Sequence, residues 1–479
     1  MKNISKETES VFRYFEKICA IPHGSGNMEA IGAYCLEFAR KNNLQAAIDE
    51  AGNVIVYKPG TKGYENAEPI ILQGHLDMVC QKREETVFDF EKDGIKSYIN
   101  GDFIKAKGTT LGADNGIAVA MIMSVLASQN LSHPPIEAVF TTDEEIGMVG
   151  AKQIDFTRLK SKRMINLDSE ESDILTVSCA GGSDFELLIP TEKMTVHGTE
   201  ITLEIGGLKG GHSGVDIDKC RVNADILAGR ILNYAKKNAN FNIIKINGGT
   251  KGNAIPFCCK AQLVAKDAES FINITEEYIS ALKNEIADRE EDCFIRLTAG
   301  STGDFEVLSP KTRDKLLYLL LTTPNGVVDM SAEIDGLVET SLNLGILMTE
   351  DSKIIMQYAL RSNKSSALTF LEDKMTELAE YNGCRSQISC RYEPWEYKKE
   401  SELRKLYSTA FCEKFGHEIK ISAIHAGLEC AVFAQNIEGL DCISVGPDMF
   451  DVHTVNERLS ISSATEIFEL LCDMLERCK

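Results

Sequence analysis

The chain has no CxxC pair, no extended Lys/Arg-rich stretch and no apolar run of bilayer-spanning length, and each lack narrows the field. Fifteen cysteines without that spacing, two of them adjacent at Cys258-Cys259 in a strand pattern, read as free thiols in a reducing compartment. The longest apolar stretch, 117–127, is too short for a transmembrane helix. Residues 1–7 lack the apolar core of a secretory leader, so the cytoplasm is the expected location. Positive charge is scarce too. With 51 Lys and Arg against 72 Asp and Glu, the net charge of −21 speaks against nucleic acid and anionic membrane as partners.

What is present is a globular composition, 43% hydrophobic and 26% charged, over 479 residues, which implies two or three domains. Helical patterns at 6–19, 28–42 and 115–128 alternate with strand patterns at 53–58, 69–73, 136–141 and 163–167. The style returns near the C-terminus with a helix at 400–415, a strand at 440–445 and a helix at 463–476. Such alternation predicts an α/β domain with helices on both faces of its sheet. After Ala180-Gly181-Gly182 the order changes. Strand 200–206, helix 222–239, strands 242–247 and 259–266, helix 271–290 and strand 293–298 follow the ferredoxin-like order. A similar series then recurs from 311 to 393. The expected organisation is a domain of residues 1–181 and 396–479 with an inserted α+β module, 182–395, built from two ferredoxin-like halves.

Chemistry concentrates where strands of the first domain run out. Gly74-His75-Leu76-Asp77 ends the apolar run 69–73, with an imidazole and a carboxylate two residues apart. Residues so spaced project the same way from a strand. A ligand imidazole usually hands its second N–H to a carboxylate, so His75 and Asp77 read as a metal ligand and its orienter. Asp114 stands just before an apolar helix, Asp143-Glu144-Glu145 follows strand 136–141, Asp168 follows strand 163–167, and His453 follows strand 440–445 through a Gly-Pro turn. Open α/β sheets build their sites beyond these strand ends. Each residue alone has a plainer reading: a helix N-cap for Asp114, a solvated turn for the paired glutamates, an ordinary surface or core histidine for His453.

Taken in order, Gly-His-Leu-Asp, Gly-Ala-Asp-Asn-Gly, Asp-Glu-Glu-Ile-Gly, Asn-Leu-Asp and a C-terminal His resemble the di-zinc metallopeptidase family of carnosinases, aminoacylase and carboxypeptidase G. Within it, the pattern is most similar to the bacterial Xaa-His dipeptidase branch. The resemblance implies a zinc-peptidase-type catalytic domain, with a mixed sheet between helices, and makes the inserted module its lid. It implies that His75, Asp114 and Asp168 bind one Zn2+ and that Asp114, Glu145 and His453 bind a second, Asp114 bridging. It also implies a cis peptide after Asp114. Manganese or cobalt is able to substitute in such a nitrogen and oxygen site. The implied reaction is hydrolysis of unblocked dipeptides, Xaa-His among them and broad in specificity, by hydroxide generated at the metals. Glu144 serves as general base and Asp77 acts through His75.

Gly207-Leu208-Lys209-Gly210-Gly211-His212-Ser213-Gly214 and Gly252-Asn253-Ala254-Ile255-Pro256 resemble lid segments of that family. They imply His212 as a donor to the oxyanion, with Asn253 and Arg361 holding the substrate's carboxylate end. His425 and Glu429, in His425-Ala426-Gly427-Leu428-Glu429-Cys430, are expected to touch substrate, Glu429 at its free amino terminus. A doubled lid bringing His212 and Arg361 from one chain makes a working monomer as well as a homodimer conceivable. An N-acyl amino acid deacylase or a tripeptidase would share the metal set. A non-catalytic binding module is the reading from another class, and the intact Glu144 argues against it.

Overall fold

The computed structural model describes residues 6–479; the leader expectation for residues 1–5 lies outside the described residues. The chain forms two compact units. One comprises the N-terminal part to Cys179 together with Tyr397–Ala423 and Leu428–Lys479; the other comprises Ala180–Glu396 and Ile424–Gly427. Among the described residues no helix is long and apolar enough to cross a membrane.

The first unit is built on an eight-stranded mixed sheet. Its order is Gln45–Ile48, Val54–Lys58, Ile136–Thr141, Ile70–His75, Arg163–Asn166, Asp441–Ser444, Ile174–Cys179 and Lys420–Ile424. The four in the middle, from Ile136–Thr141 to Asp441–Ser444, run parallel. Ile70–His75 and Ile136–Thr141 are buried along their whole length, which is why they read as unbroken apolar runs rather than alternating ones. Helix Ala113–Ala127 is apolar on every side and lies buried against helix Lys6–Cys19 and strand Ile70–His75. Because the parallel strands point one way, the residues that follow Gln73, Thr141, Asn166 and Ser444 emerge at one edge of the sheet.

The second unit holds a nine-stranded sheet. Lys193–Gly206, helix Ala224–Asn238, Phe241–Gly248, Cys259–Ala265, helix Ala268–Ile286 and Phe294–Leu308 form one β-α-β-β-α-β half, with the last strand beside the first. The other half is Gly181–Pro190, helix Pro310–Thr322, Val338–Thr349, Lys353–Ser362, helix Ser365–Tyr381 and Arg385–Tyr392. Its first strand thus precedes the whole of the other half in the chain, so one half is inserted into its neighbour. That strand carries a plain alternation, with Phe185, Leu187 and Ile189 buried and their neighbours half-buried. The glycines at its start hid it from a reading that treated Gly181-Gly182 as a boundary.

One residue of the second unit is placed at an energetic cost. Asp225, in the first turn of helix Ala224–Asn238, is fully buried, and no N–H or hydroxyl among the described residues donates to its oxygens. Burial pushes its carboxyl up to about 8, the nearby Cys259 thiol working weakly the other way. An unfolded aspartate titrates near ~4, so the unfolded chain sheds this proton first. The fold therefore loses stability as pH rises from about 4 to about 8. Asp225→Asn is expected to raise the melting temperature, most at pH 8 and little near pH 4–5. Thermal melts across that range check it, and an unchanged pH dependence in the variant would contradict it.

Candidate metal centre

His75 ends its parallel strand with its ring buried. Nδ1 lies 3.0 Å from the backbone carbonyl of Asp77 and 3.3 Å from Asp77 Oδ1. Carbonyl and carboxylate oxygens only accept, so Nδ1 donates, and on a neutral ring that would leave the Nε2 lone pair free for a cation. Nε2 faces Asp114 Oδ1 at 3.1 Å and Asp168 Oδ1 at 3.5 Å. The backbone of Asp77 thus does part of the orienting that the spacing assigned to its carboxylate. That carboxylate also has other work. Its Oδ1 accepts from the Glu144 N–H at 2.9 Å, and its Oδ2 accepts from the Glu145 N–H at 3.2 Å and the Ser25 hydroxyl at 2.8 Å. One side chain therefore positions His75 and the paired glutamates together.

Asp114 does not cap its helix: the cap position is Gly112, and the Asp114 backbone is non-helical (φ −82°, ψ 107°). Its peptide bond to Asn115 is cis. Asn115 Oδ1 accepts from the His75 N–H and its amide donates to the Leu167 carbonyl, tying two strand ends to the start of the helix. This close approach requires Gly74, where a Cβ would sit 2.5 Å from Asn115 Oδ1. The far oxygen of Asp114 lies 3.0 Å from His453 Nε2, which is 2.8 Å from Glu145 Oε1.

Two donor sets emerge, His75/Asp114/Asp168 and Asp114/Glu145/His453, with the ligand atoms of each within 4.8 Å of one another. Asp114 turns one oxygen to each set, the disposition of a bridging carboxylate. All five residues expected from the sequence are brought together. The chemistry of the sets fits a pair of divalent cations: imidazole nitrogen and carboxylate oxygen suit zinc, and three protein ligands per ion leave room for water. The electrostatics agree. Hydrogen bonds to Asp114 and Glu145 drive His453 up to about 11. Burial opposes protonation of His75, but Asp168, Asp114 and Asp77 override it and raise it well above the usual value. Burial, with Asp114 and Glu145 adding to it, lifts Asp168 to about 6. Three carboxylates crowd two imidazoles, and the cluster draws in positive charge.

Glu144 is half-buried and belongs to neither set, although its carboxylate also lies within ligand distance of His75 and Glu145. Burial raises its pKa well above the ordinary value, helped by Asp168, Glu429 and Glu145 and opposed by His75. A carboxylate that holds a proton so readily is suited to general base work.

The second unit holds His212, Asn253, Arg361 and His425. His212 pairs opposite Ala254 in a two-residue ladder, and the N–H groups of Gly214 and Val215 point at its Nδ1 at 3.2 and 3.3 Å. Its Nε2 therefore carries the proton. Burial and the charge of Arg361 hold the ring below its usual pKa, so it is a neutral donor. Arg361 and Asn253 line a cavity of about 370 Å³ together with Ser183, Asp184, Gln357 and Tyr392. Arg361 donates to the Tyr392 hydroxyl through Nη1, while its buried Nε has no partner among the described residues.

Two residues expected to touch substrate are engaged within the protein. His425 has both ring nitrogens engaged, Nε2 with the Ser341 hydroxyl at 2.7 Å and Nδ1 with Asn363 Oδ1 at 3.2 Å, which leaves none for a substrate. Burial, Arg361 and His212 push its pKa down to about 3, so it is neutral. Glu429 is fully buried in the first unit and accepts from Gln73 Nε2 at 2.5 Å and the Thr141 hydroxyl at 2.7 Å. It braces strands Ile70–His75 and Ile136–Thr141 and has no surface to offer an amino terminus. Burial lifts its pKa to about 7, opposed by His75 and the Thr141 hydrogen bond and helped by Asp168 and Asp77. Residues that sequence reasoning passed over include Ser25, Asn115 and Glu457, whose partners lie far along the chain.

A family model described as Peptidase family M20/M25/M40 matches residues 71–477. The cytosol non-specific dipeptidase of Escherichia coli (strain K12) is 36% identical over 466 residues, covering 96% of each chain. The crystal structure of aminoacylhistidine dipeptidase from Vibrio alginolyticus superposes with a TM-score of 0.90 at 34% identity, covering 99% of this chain and 97% of that one. The aminopeptidase PepT of Bacillus cereus, at 17% identity and a TM-score of 0.56 over 99% of both chains, shares the fold.

Proposed function

Because the chain belongs to peptidase family M20/M25/M40, and is thus a hydrolase, we propose that it cleaves the peptide bond of unblocked dipeptides, Xaa-His dipeptides among them, with broad specificity. The observation that carries the reading is the single carboxylate of Asp114 shared between two donor sets, with an unassigned carboxylate, Glu144, beside them. His75, Asp114 and Asp168 would hold one Zn2+, and Asp114, Glu145 and His453 a second. When bound, the ions would polarise the scissile carbonyl and lower the pKa of a water.

The rest is the work of side chains. Glu144 takes a proton from the attacking water and returns it to the leaving amine. Asp77 keeps His75 in one tautomer and fixes the peptide groups of Glu144 and Glu145, so base and ligands hold their spacing. His212 offers through Nε2 a neutral donor of the kind an oxyanion needs. Asn253 and Arg361 receive the substrate's carboxylate, Arg361 through a guanidinium with a donor to spare. His212 and Arg361 lie on the two halves of one unit of one chain, which supports a working monomer, a homodimer remaining compatible. The similarity to a cytosol enzyme supports a cytoplasmic location.

A panel of Xaa-His dipeptides, other dipeptides, acetyl amino acids and tripeptides, assayed with and without chelator, tests the reading. Chelator-sensitive turnover of free dipeptides, restored by Zn2+, is expected. Turnover confined to acetyl amino acids or to tripeptides would replace it with a deacylase or tripeptidase. No hydrolysis by metal-loaded protein would point to a binding module.

A further inference from the structure

Glu457 is a buried carboxylate four residues beyond His453, and no step described so far uses it. Its two oxygens collect four consecutive backbone N–H groups. Oε2 accepts from Leu111 at 2.6 Å and Gly112 at 3.1 Å; Oε1 accepts from Ala113 at 2.8 Å and, at 3.4 Å, from Asp114 itself. These N–H groups open helix Ala113–Ala127, where the helix leaves its first donors without partners and where Gly112 brings no side-chain cap. An acidic group is favoured at such a helix start.

The position has a drawback that helix capping alone does not explain. Glu457 adds a fourth carboxylate beside the Asp114 loop, where an uncharged capping residue would satisfy donors without repelling Asp114. A longer, charged side chain does something that a local cap cannot. It ties the segment carrying His453 to the loop carrying Asp114, two ligands of the same set that are 339 residues apart in the chain.

We propose that Glu457 is the positioning residue for the bridging ligand: by gathering the 111–114 backbone it fixes the angle at which Asp114 turns one oxygen to each donor set. The inference rests on the reading that Asp114 bridges two cations. Partners that orient a ligand typically cost 10–100-fold in metal affinity when removed. In Glu457→Gln one carboxylate oxygen becomes an NH2 group facing two N–H donors, and the loop loses half its anchor.

The test is titration of the metal-free full-length chain with Co2+, read by visible absorption and by competition with a chromophoric chelator. The parent is expected to take two ions. Glu457→Gln is expected to bind at least one of them about 10-fold or more weakly, with an altered ligand-field spectrum. Glu457→Asp, which keeps the charge but draws it back by one methylene, is expected to shift the same way and serves if the glutamine variant does not fold. Two ions at parental affinity and an unchanged spectrum in a folded variant, even one with a lowered melting temperature, would reduce Glu457 to a helix cap and overturn the proposal. A parent that takes up no second ion would instead overturn the two-cation reading itself.

Discussion

Replacing Glu144 by glutamine is expected to lower kcat about 10²–10⁴-fold while both donor sets keep their metals and KM changes little. The variant keeps the side-chain volume and the Glu144 N–H that Asp77 holds, so the loop has no reason to move. What it removes is the ability to accept a proton from water. The experiment also separates two roles that distance alone leaves open, because the carboxylate of Glu144 lies within ligand range of His75 and Glu145. Metal content is the discriminating measurement. A full complement of metal with the rate lost makes Glu144 the base; a matching loss of metal would make it a ligand. Parental turnover would remove it from the chemistry.

Asp114→Asn is expected to be worse for binding. It withdraws a negative charge facing both His75 and His453, each about 3 Å away. Losing a partner that only orients a ligand costs 10–100-fold in affinity, so losing a shared ligand should exceed roughly 100-fold for at least one ion. A metal contributes several kcal/mol to the transition state, which at 1.36 kcal/mol per decade makes the expected loss of turnover about 10³-fold or more. Elemental analysis after dialysis should find at most one tightly held ion per chain. Two ions retained at parental turnover would show that Asp114 is not shared.

The place where the candidate ligands gather was legible for a physical reason, while their roles were what the family resemblance implied. Parallel strands buried on both faces are written as unbroken apolar runs, and the residue that ends each run must emerge at the same edge of the sheet. His75, Glu145, Asp168 and His453 all follow such runs. The supporting bonds were not legible. Ser25 meets Asp77 across 52 positions, and Glu457 meets Leu111 across 346; no local pattern marks a carboxylate that will gather backbone N–H groups at that remove. Glu429 misled for a related reason. An acidic residue opening a short helix near a site reads as exposed, yet two neutral donors, Gln73 and Thr141, allow it to be fully buried. In the second unit, helix and strand spacing revealed most elements, but the pairing of Gly181–Pro190 with Lys353–Ser362 depends on contacts that no window of the chain contains.

Strand Asp441–Ser444 lies between Arg163–Asn166 and Ile174–Cys179, so the catalytic sheet keeps a gap at its middle until the last part of the chain has been made. At about 5–20 residues per second, the ribosome adds the 275 residues from Asn166 to Asp441 in roughly 14–55 s. Through that time His75, Asp114 and Asp168 are available, while His453 and Glu457 do not yet exist. A chain stopped anywhere before them carries at most one of the two donor sets. On the proposed mechanism, a chain that ends before His453 lacks one donor of the second set.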